Sequence, residues 1–294
     1  MSSAEKVEQG SFVALRVWLS GSPWRPTGAW LVLAGVLVVS GLRVRDWAVV
    51  PVFLALLLAE LLWGALWSQL VTEADWTGNL GTGRPRLPFA QSDSVAGRLL
   101  GWNYSGSLSA LLRGGLPLLI LAICAAWPLG QPALIMTMAV TLLVGVGILA
   151  QRAGLRSWLA WLQATVQVGL PFLLGVSLAG TWPEAGRFAQ IGVMALGFIL
   201  LARAGFGAAM EAEVPSNAQG FITPLLVIAG LGSLLVIGVL LVAGQAIAAG
   251  VVALIAAAPL LQLARQGPVN AGTLWAWWWA LTMAAAIAFS LEIG

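Results

Sequence analysis

Long apolar stretches, each close to twenty residues, follow one another along most of the chain and constrain its fold more than any other feature. A helix of about 20 residues spans a bilayer, and these stretches lack the alternation of a β-barrel strand. Charged residues make up only 9% of the 294 residues, whereas a soluble domain carries about 25%. We therefore expect an all-α, polytopic membrane protein, not a soluble protein, a nucleic-acid binder or a disordered chain.

Nine membrane spans are predicted from the apolar stretches. They cover residues 27–43, 47–67, 110–128, 131–150, 158–180, 189–209, 221–243, 245–264 and 273–292. Residues 1–26 are predicted to be a cytoplasmic or interfacial segment, because residues 11–20 are amphipathic and prolines precede the first span. Residues 27–294 then form one transmembrane domain with two unusual loops, a long one at 68–108 and a polar one at 211–220.

The basic residues predict the orientation of these spans. With the N-terminus in the cytoplasm, eleven of the fourteen Lys and Arg residues lie on the cytoplasmic side, and only Arg43, Arg45 and Arg187 lie outside. Both unusual loops then face the cytoplasm. We expect an integral, multi-pass protein of a bacterial inner membrane.

The histidine, cysteine and tryptophan content limits the kinds of site that the chain can form. Histidine is absent, which excludes His-ligated haem, the usual catalytic zinc sites and His-based proton relays. The single cysteine, Cys124, is predicted to be a small buried side chain. Four tryptophans open the last span, and they are interpreted as an interfacial anchor, with an aromatic ligand box as the alternative. These are Trp275, Trp277, Trp278 and Trp279.

Carboxylates follow the second and sixth spans. If the second helix continues past its apolar part, Gln69, Glu73 and Thr77 share one of its faces. Glu211 and Glu213 follow the sixth span on the same side of the membrane. Because a Mg²⁺ site needs only one or two carboxylates plus water and phosphate oxygens, two such segments facing each other can hold a diphosphate. The alternative is that they are ordinary solvated loop acids.

Glu60 lies inside the second span. Charged side chains at such depth normally face the bundle interior and find a partner. Arg203 and Arg113 lie at a suitable depth to provide one. Glu60 is therefore predicted to face an internal cavity that binds substrate.

The order of these features resembles the UbiA superfamily of intramembrane aromatic prenyltransferases, which has nine spans and special cytoplasmic loops after the second and sixth. In the first family motif, Asn-x-x-x-Asp-x-x-x-Asp, Gln69 stands at the Asn, and Glu73 and Thr77 stand at the two Asp positions. Arg84-Pro85 follows fifteen residues after Gln69, a spacing familiar in that family. The segment that matches the second motif offers Glu211, Glu213, Asn217 and Gly220.

The resemblance implies that Mg²⁺ holds the diphosphate of an isoprenoid, whose carbocation an aromatic or tetrapyrrole-type acceptor attacks. The implied catalytic residues are Glu73, Glu211 and Glu213, and the implied metal ligands are these three with Asp75. The implied substrate-binding residues are Gln69, Thr77, Arg84, Arg86 and Asn217, to which the depth of Glu60 in its predicted span adds a sixth candidate.

Two other functions stay open. Glu and Thr in place of the family's Asp residues also suit a non-catalytic relative, a lipid- or pigment-binding subunit of a larger membrane complex. A transporter is the second alternative, although Glu60 is the only acid in the middle of a predicted span.

Overall fold

The computed structural model describes residues 28–41, 49–72, 115–178, 184–212, 219–264 and 271–291. Within these ranges the chain is almost entirely helical and contains no strand. The helices are α1 (Gly28–Ser40), α2 (Val49–Thr72), α3 (Leu116–Leu129), α4 (Gln131–Arg152), α5 (Arg156–Ser177), α6 (Ala185–Ala212), α7 (Gln219–Val242), α8 (Ala246–Ala264) and α9 (Ala271–Ser290).

Seven of the described helices, α2 and α4 to α9, are long and apolar enough to cross a membrane. The all-α fold expected from the sequence is thus confirmed for this part of the chain, and its seven long apolar helices are compatible with a multi-pass membrane protein. Helices α1 and α3 are apolar but shorter, and each adjoins residues outside the described ranges.

Several helices extend beyond the predicted spans, and two of these extensions reach predicted site residues. Helix α2 continues through residues 68–72, the predicted beginning of the long loop, and α6 continues to Ala212, so Glu211 lies in its last turn. The reason is that a helix satisfies its own backbone hydrogen bonds whether or not its side chains are apolar. Hydropathy alone therefore places the predicted ends of both helices too early in the sequence.

Two hydrophobic clusters divide the bundle into two lobes. One lobe is built from α2, α3 and α4, and the other from α6, α7, α8 and α9. Helices α1 and α5 contribute to both clusters, for example through Val32 and Leu174 on one side and Leu31 and Phe172 on the other. Helices α1 and α5 form a central wall between the lobes. In chain order, α2 is the first helix of one lobe and α6 is the first helix of the other.

Close backbone contacts join the two helices of the central wall. A Cβ added to Gly35 of α1 would fall on the carbonyl oxygen of Phe172, and one added to Gly175 of α5 would fall on the carbonyl oxygen of Val32. Within a membrane, where lipid is as apolar as the side chains, small residues allow the close packing that drives helix association. Gly35 and Gly175 thereby fix α1 against α5.

Helices α2 and α4 run in the same direction. The indole N–H of Trp63 donates a hydrogen bond to the Thr137 hydroxyl at 3.3 Å, and farther along both helices the ring of Trp67 packs on Gly147. The connection from α4 to α5 is only three residues long, which makes these two helices antiparallel neighbours.

Helices α5 and α6 are antiparallel as well. Phe172 packs edge-on against Phe198 with ring centroids 5.2 Å apart, whereas Trp161, earlier in α5, lies against Arg203, later in α6. It follows that α2, α4 and α6 all terminate at the same end of the bundle, which we call the α2/α6 end.

Large apolar side chains cover the outer faces of the bundle. On α8, Ile247 is 88% exposed and Leu254 is 77% exposed, as expected for helices that face lipid. Cys124 is also exposed, contrary to the prediction, because it lies on the outer face of α3. Helices α5 and α6 are the most buried of the spans.

Candidate functional site

Polar side chains occupy the three described segments in which α2 and α5 take π-helical geometry. These segments are Leu57–Trp63, Ser68–Thr72 and Thr165–Gly169. They carry Glu60, Gln69 and Gln167, respectively. Because π-bulges within α-helices are frequent at functional sites, these positions are where a site is best sought.

Part of the site predicted from the sequence lies within the described residues. Gln69 is half-buried in the last turns of α2, between the buried Ser68 and Leu70. The backbone of Glu211 lies in the last turn of α6, also at the α2/α6 end, but its side chain is outside the described part. The other predicted residues, Glu73, Asp75, Thr77, Arg84, Arg86, Glu213 and Asn217, lie outside the described residues.

Glu60 joins α2 to the beginning of α1. Its Oε2 accepts a hydrogen bond from the backbone N–H of Ala29 at 3.1 Å. A Cβ added to Gly28 would lie 2.9 Å from the carbonyl of Ala59, so the two backbones are in close contact here. First-turn N–H groups have no acceptor within their own helix, and the positive helix end favours a carboxylate. Among the described residues Glu60 thus bonds to the first turn of α1, and Arg113, one of the two arginines predicted as partners, lies outside them.

The Glu60 carboxylate lies near the middle of the membrane-spanning part of α2. It follows Val49 by eleven residues and precedes Thr72 by twelve, which places it about 16–18 Å from either end at 1.5 Å per residue. Ionisable side chains at such depth are costly and mark functional sites by default. Glu60 is the one described acid with this position, since Glu184 precedes α6 and Glu211 lies near its end.

Gln167 is a buried polar side chain that the sequence analysis did not single out. Its side chain is 5% exposed, and its Oε1 accepts a hydrogen bond from Gln163 Nε2 at 3.4 Å. Its own Nε2 is buried and has no hydrogen-bond partner. The sequence signal that identifies Gln167 is its i, i+4 spacing from Gln163 inside a largely apolar span.

Arg203 is buried between α5 and α6, with 8% of its surface exposed. Its guanidinium carbon lies 5.7 Å from the ring centroid of Trp161, which is within cation–π distance. A Cβ added to Gly207 would overlap Arg203 Nη1, so Gly207, one turn later, provides the space that the guanidinium occupies. The positive charge is thus held inside the bundle, toward the α2/α6 end.

The tryptophans of α9 are largely part of the core. Trp278 is fully buried and Trp275 is 5% exposed, with its ring packed on Gly205 and Phe206 of α6. An interfacial anchor would be exposed to headgroups, so that interpretation is wrong for these two side chains. Trp279 meets Trp30 of α1 edge-on at 5.5 Å, which adds aromatic packing where α1 begins.

The predicted magnesium ligands all have their side chains outside the described part of the chain. Among the residues that are described, no group of three or more His, Cys, Asp or Glu side chains could hold a metal ion. The described geometry therefore provides hydrogen bonding at mid-depth through Glu60 and Gln167, and one buried positive charge at Arg203. Comparison of the chain with known protein families, curated proteins and solved structures gave no match.

Proposed function

We propose that the chain is a prenyltransferase-like membrane protein of nine spans, which transfers an isoprenoid from its diphosphate to an aromatic or tetrapyrrole-type acceptor. The proposal rests on the observation that α2 and α6 terminate at the same end of the bundle. The acid-bearing segments at Glu73 and Glu213 follow directly on helices that terminate at the same end of the bundle. Two carboxylate segments on one face can share a Mg²⁺–diphosphate unit.

In this proposal the Mg²⁺–diphosphate site bridges the two lobes of the bundle, because α2 and α6, the helices that precede the two acidic segments, belong to different lobes. In the proposed site, Glu73, Asp75, Glu211 and Glu213 bind Mg²⁺. The diphosphate is bound by Gln69, Thr77, Arg84, Arg86 and Asn217.

The proposed orientation places the α2/α6 end in the cytoplasm, in a bacterial inner membrane. It is tested by labelling single cysteines in a Cys124→Ala background, because the native thiol is exposed. A cysteine at Asn79 should react only with reagent on the cytoplasmic side, and one at Glu184 only with reagent on the outer side. Labelling of both from one side would contradict the nine-span topology.

Substrate binding is tested with radiolabelled geranylgeranyl diphosphate and Mg²⁺ on the purified chain. Glu73→Gln removes a proposed metal ligand and should weaken Mg²⁺-dependent binding by more than about tenfold. The matched control, Glu184→Gln, changes an exposed carboxylate at the opposite end of α6 and should bind like the parent. Equal binding by Glu73→Gln and the parent would contradict the role of the carboxylate.

A non-catalytic lipid- or pigment-binding subunit is the second candidate function. Glu73 and Thr77, which stand where the first family motif has Asp residues, favour it. This function predicts ligand binding without turnover and a stable complex with partner proteins.

A further inference from the structure

The unpartnered amide nitrogen of Gln167 points to a ligand that the helices themselves do not supply. In a membrane interior no bulk water is present to satisfy a polar group, so buried donors normally have partners. Gln167 Nε2 is a buried donor without one, although its Oε1 is bonded to Gln163. An acceptor atom is therefore missing from this position.

Acceptor capacity lies close by on α2. The Thr165–Gly169 segment, which carries Gln167, packs against the Leu57–Trp63 segment, which carries Glu60, and also against α1. A carboxylate has about four lone-pair positions, and Glu60 uses one of them for Ala29 N–H. The amide nitrogen of Gln167 and the carboxylate of Glu60 thus lie on adjoining segments, and no hydrogen bond joins the two groups.

The two groups together select the chemistry of an occupant. The amide N–H groups of Gln167 repel a cation, and the carboxylate of Glu60 repels an anion. A neutral hydroxyl both accepts one hydrogen bond and donates another, so it satisfies both groups.

We propose that Glu60, Gln167 and the first turn of α1 form a mid-membrane site that binds a hydroxyl group, supplied by a water molecule or by the head of a long-chain alcohol. This site is distinct from the proposed diphosphate site, since Glu60 precedes the end of α2 by twelve residues. The proposal does not depend on prenyl transfer.

The test uses the full chain in detergent, with n-decanol as probe and n-decane as the matched compound without a hydroxyl. If an alcohol is the occupant, decanol raises the thermal midpoint by about 2–4 °C and decane does not. The shift should disappear in Gln167→Met and persist in Gln262→Met, the same substitution on α8. An equal decanol shift in Gln167→Met would overturn binding of an alcohol at this site.

If water is the occupant, decanol has no effect, and an experimental structure shows a single oxygen within about 3.2 Å of both Gln167 Nε2 and a Glu60 oxygen. Absence of any occupant, together with absence of a decanol shift, would overturn the proposal. Should Gln167→Met fail to fold, Gln167→Asn keeps the amide but shortens its reach. It should then reduce the decanol shift or remove the bound oxygen, and an unchanged result would count against the site.

Discussion

Replacement of Gly35 by Ala tests the central wall of the bundle. A Cβ at this position would overlap the Phe172 carbonyl oxygen and would lie 2.8 Å from the Val176 nitrogen and 3.0 Å from the Gly175 Cα. All of these are backbone atoms, which no rotamer change can move away. Restoring ordinary contact distances requires α1 and α5 to separate by about 1 Å, and a gap of that size forfeits about a quarter to a half of the dispersion attraction across it.

The expected cost is large because α1 contributes side chains to both hydrophobic clusters. Overpacked cores lose about 1–3 kcal/mol, and an obstacle made of backbone places Gly35→Ala near the upper limit of about 3 kcal/mol. The thermal midpoint of the purified protein should then fall by about 6–12 °C. The matched control is Gly145→Ala on α4, where a Cβ meets nothing within 4 Å and the midpoint should not fall. Equal midpoints for Gly35→Ala and the parent would refute the close contact between α1 and α5.

Two further substitutions test the described polar contacts. Glu60→Gln keeps an acceptor for Ala29 N–H and should lower the free energy of unfolding by about 1 kcal/mol. Glu60→Leu leaves that N–H without an acceptor and should lower it by about 1–3 kcal/mol. The opposite ranking in thermal unfolding would contradict the hydrogen bond. Gly207→Ala should displace the Arg203 guanidinium and the Leu225 side chain and lower the thermal midpoint, whereas Gly192→Ala, at an open position of the same helix, should not. Equal midpoints for the two variants would contradict tight packing around the Arg203 guanidinium.

The helices of the bundle were largely predictable from the sequence, because a chain in lipid must satisfy its backbone hydrogen bonds within each segment. Hydropathy locates such segments well. It does not show where a helix meets its neighbour, and the contact of Gly28 with the carbonyl of Ala59 depends on tertiary packing. The place where Glu60 meets α1 could therefore not be derived from the pattern alone.

The candidate site was predictable only in part. The position of Glu60 inside a long apolar helix agrees with the prediction, but its partner is a backbone N–H, which carries no sequence signal. Gln167 looked like one polar residue among many in α5, and its missing partner is visible only once the helices are packed. Trp275 and Trp278 are predicted at the interface because tryptophan is common there, whereas both are buried, Trp275 against Gly205 and Phe206 of α6.

Turnover by the purified parent protein tests the central claim most directly. The measurement is release of diphosphate from farnesyl or geranylgeranyl diphosphate, with Mg²⁺ and a range of aromatic and tetrapyrrole-type acceptors. The account predicts Mg²⁺-dependent release together with a prenylated acceptor, both lost in Glu73→Gln and retained in Glu184→Gln. Mg²⁺-dependent binding of the diphosphate without release for any acceptor would contradict the enzyme and favour the non-catalytic subunit.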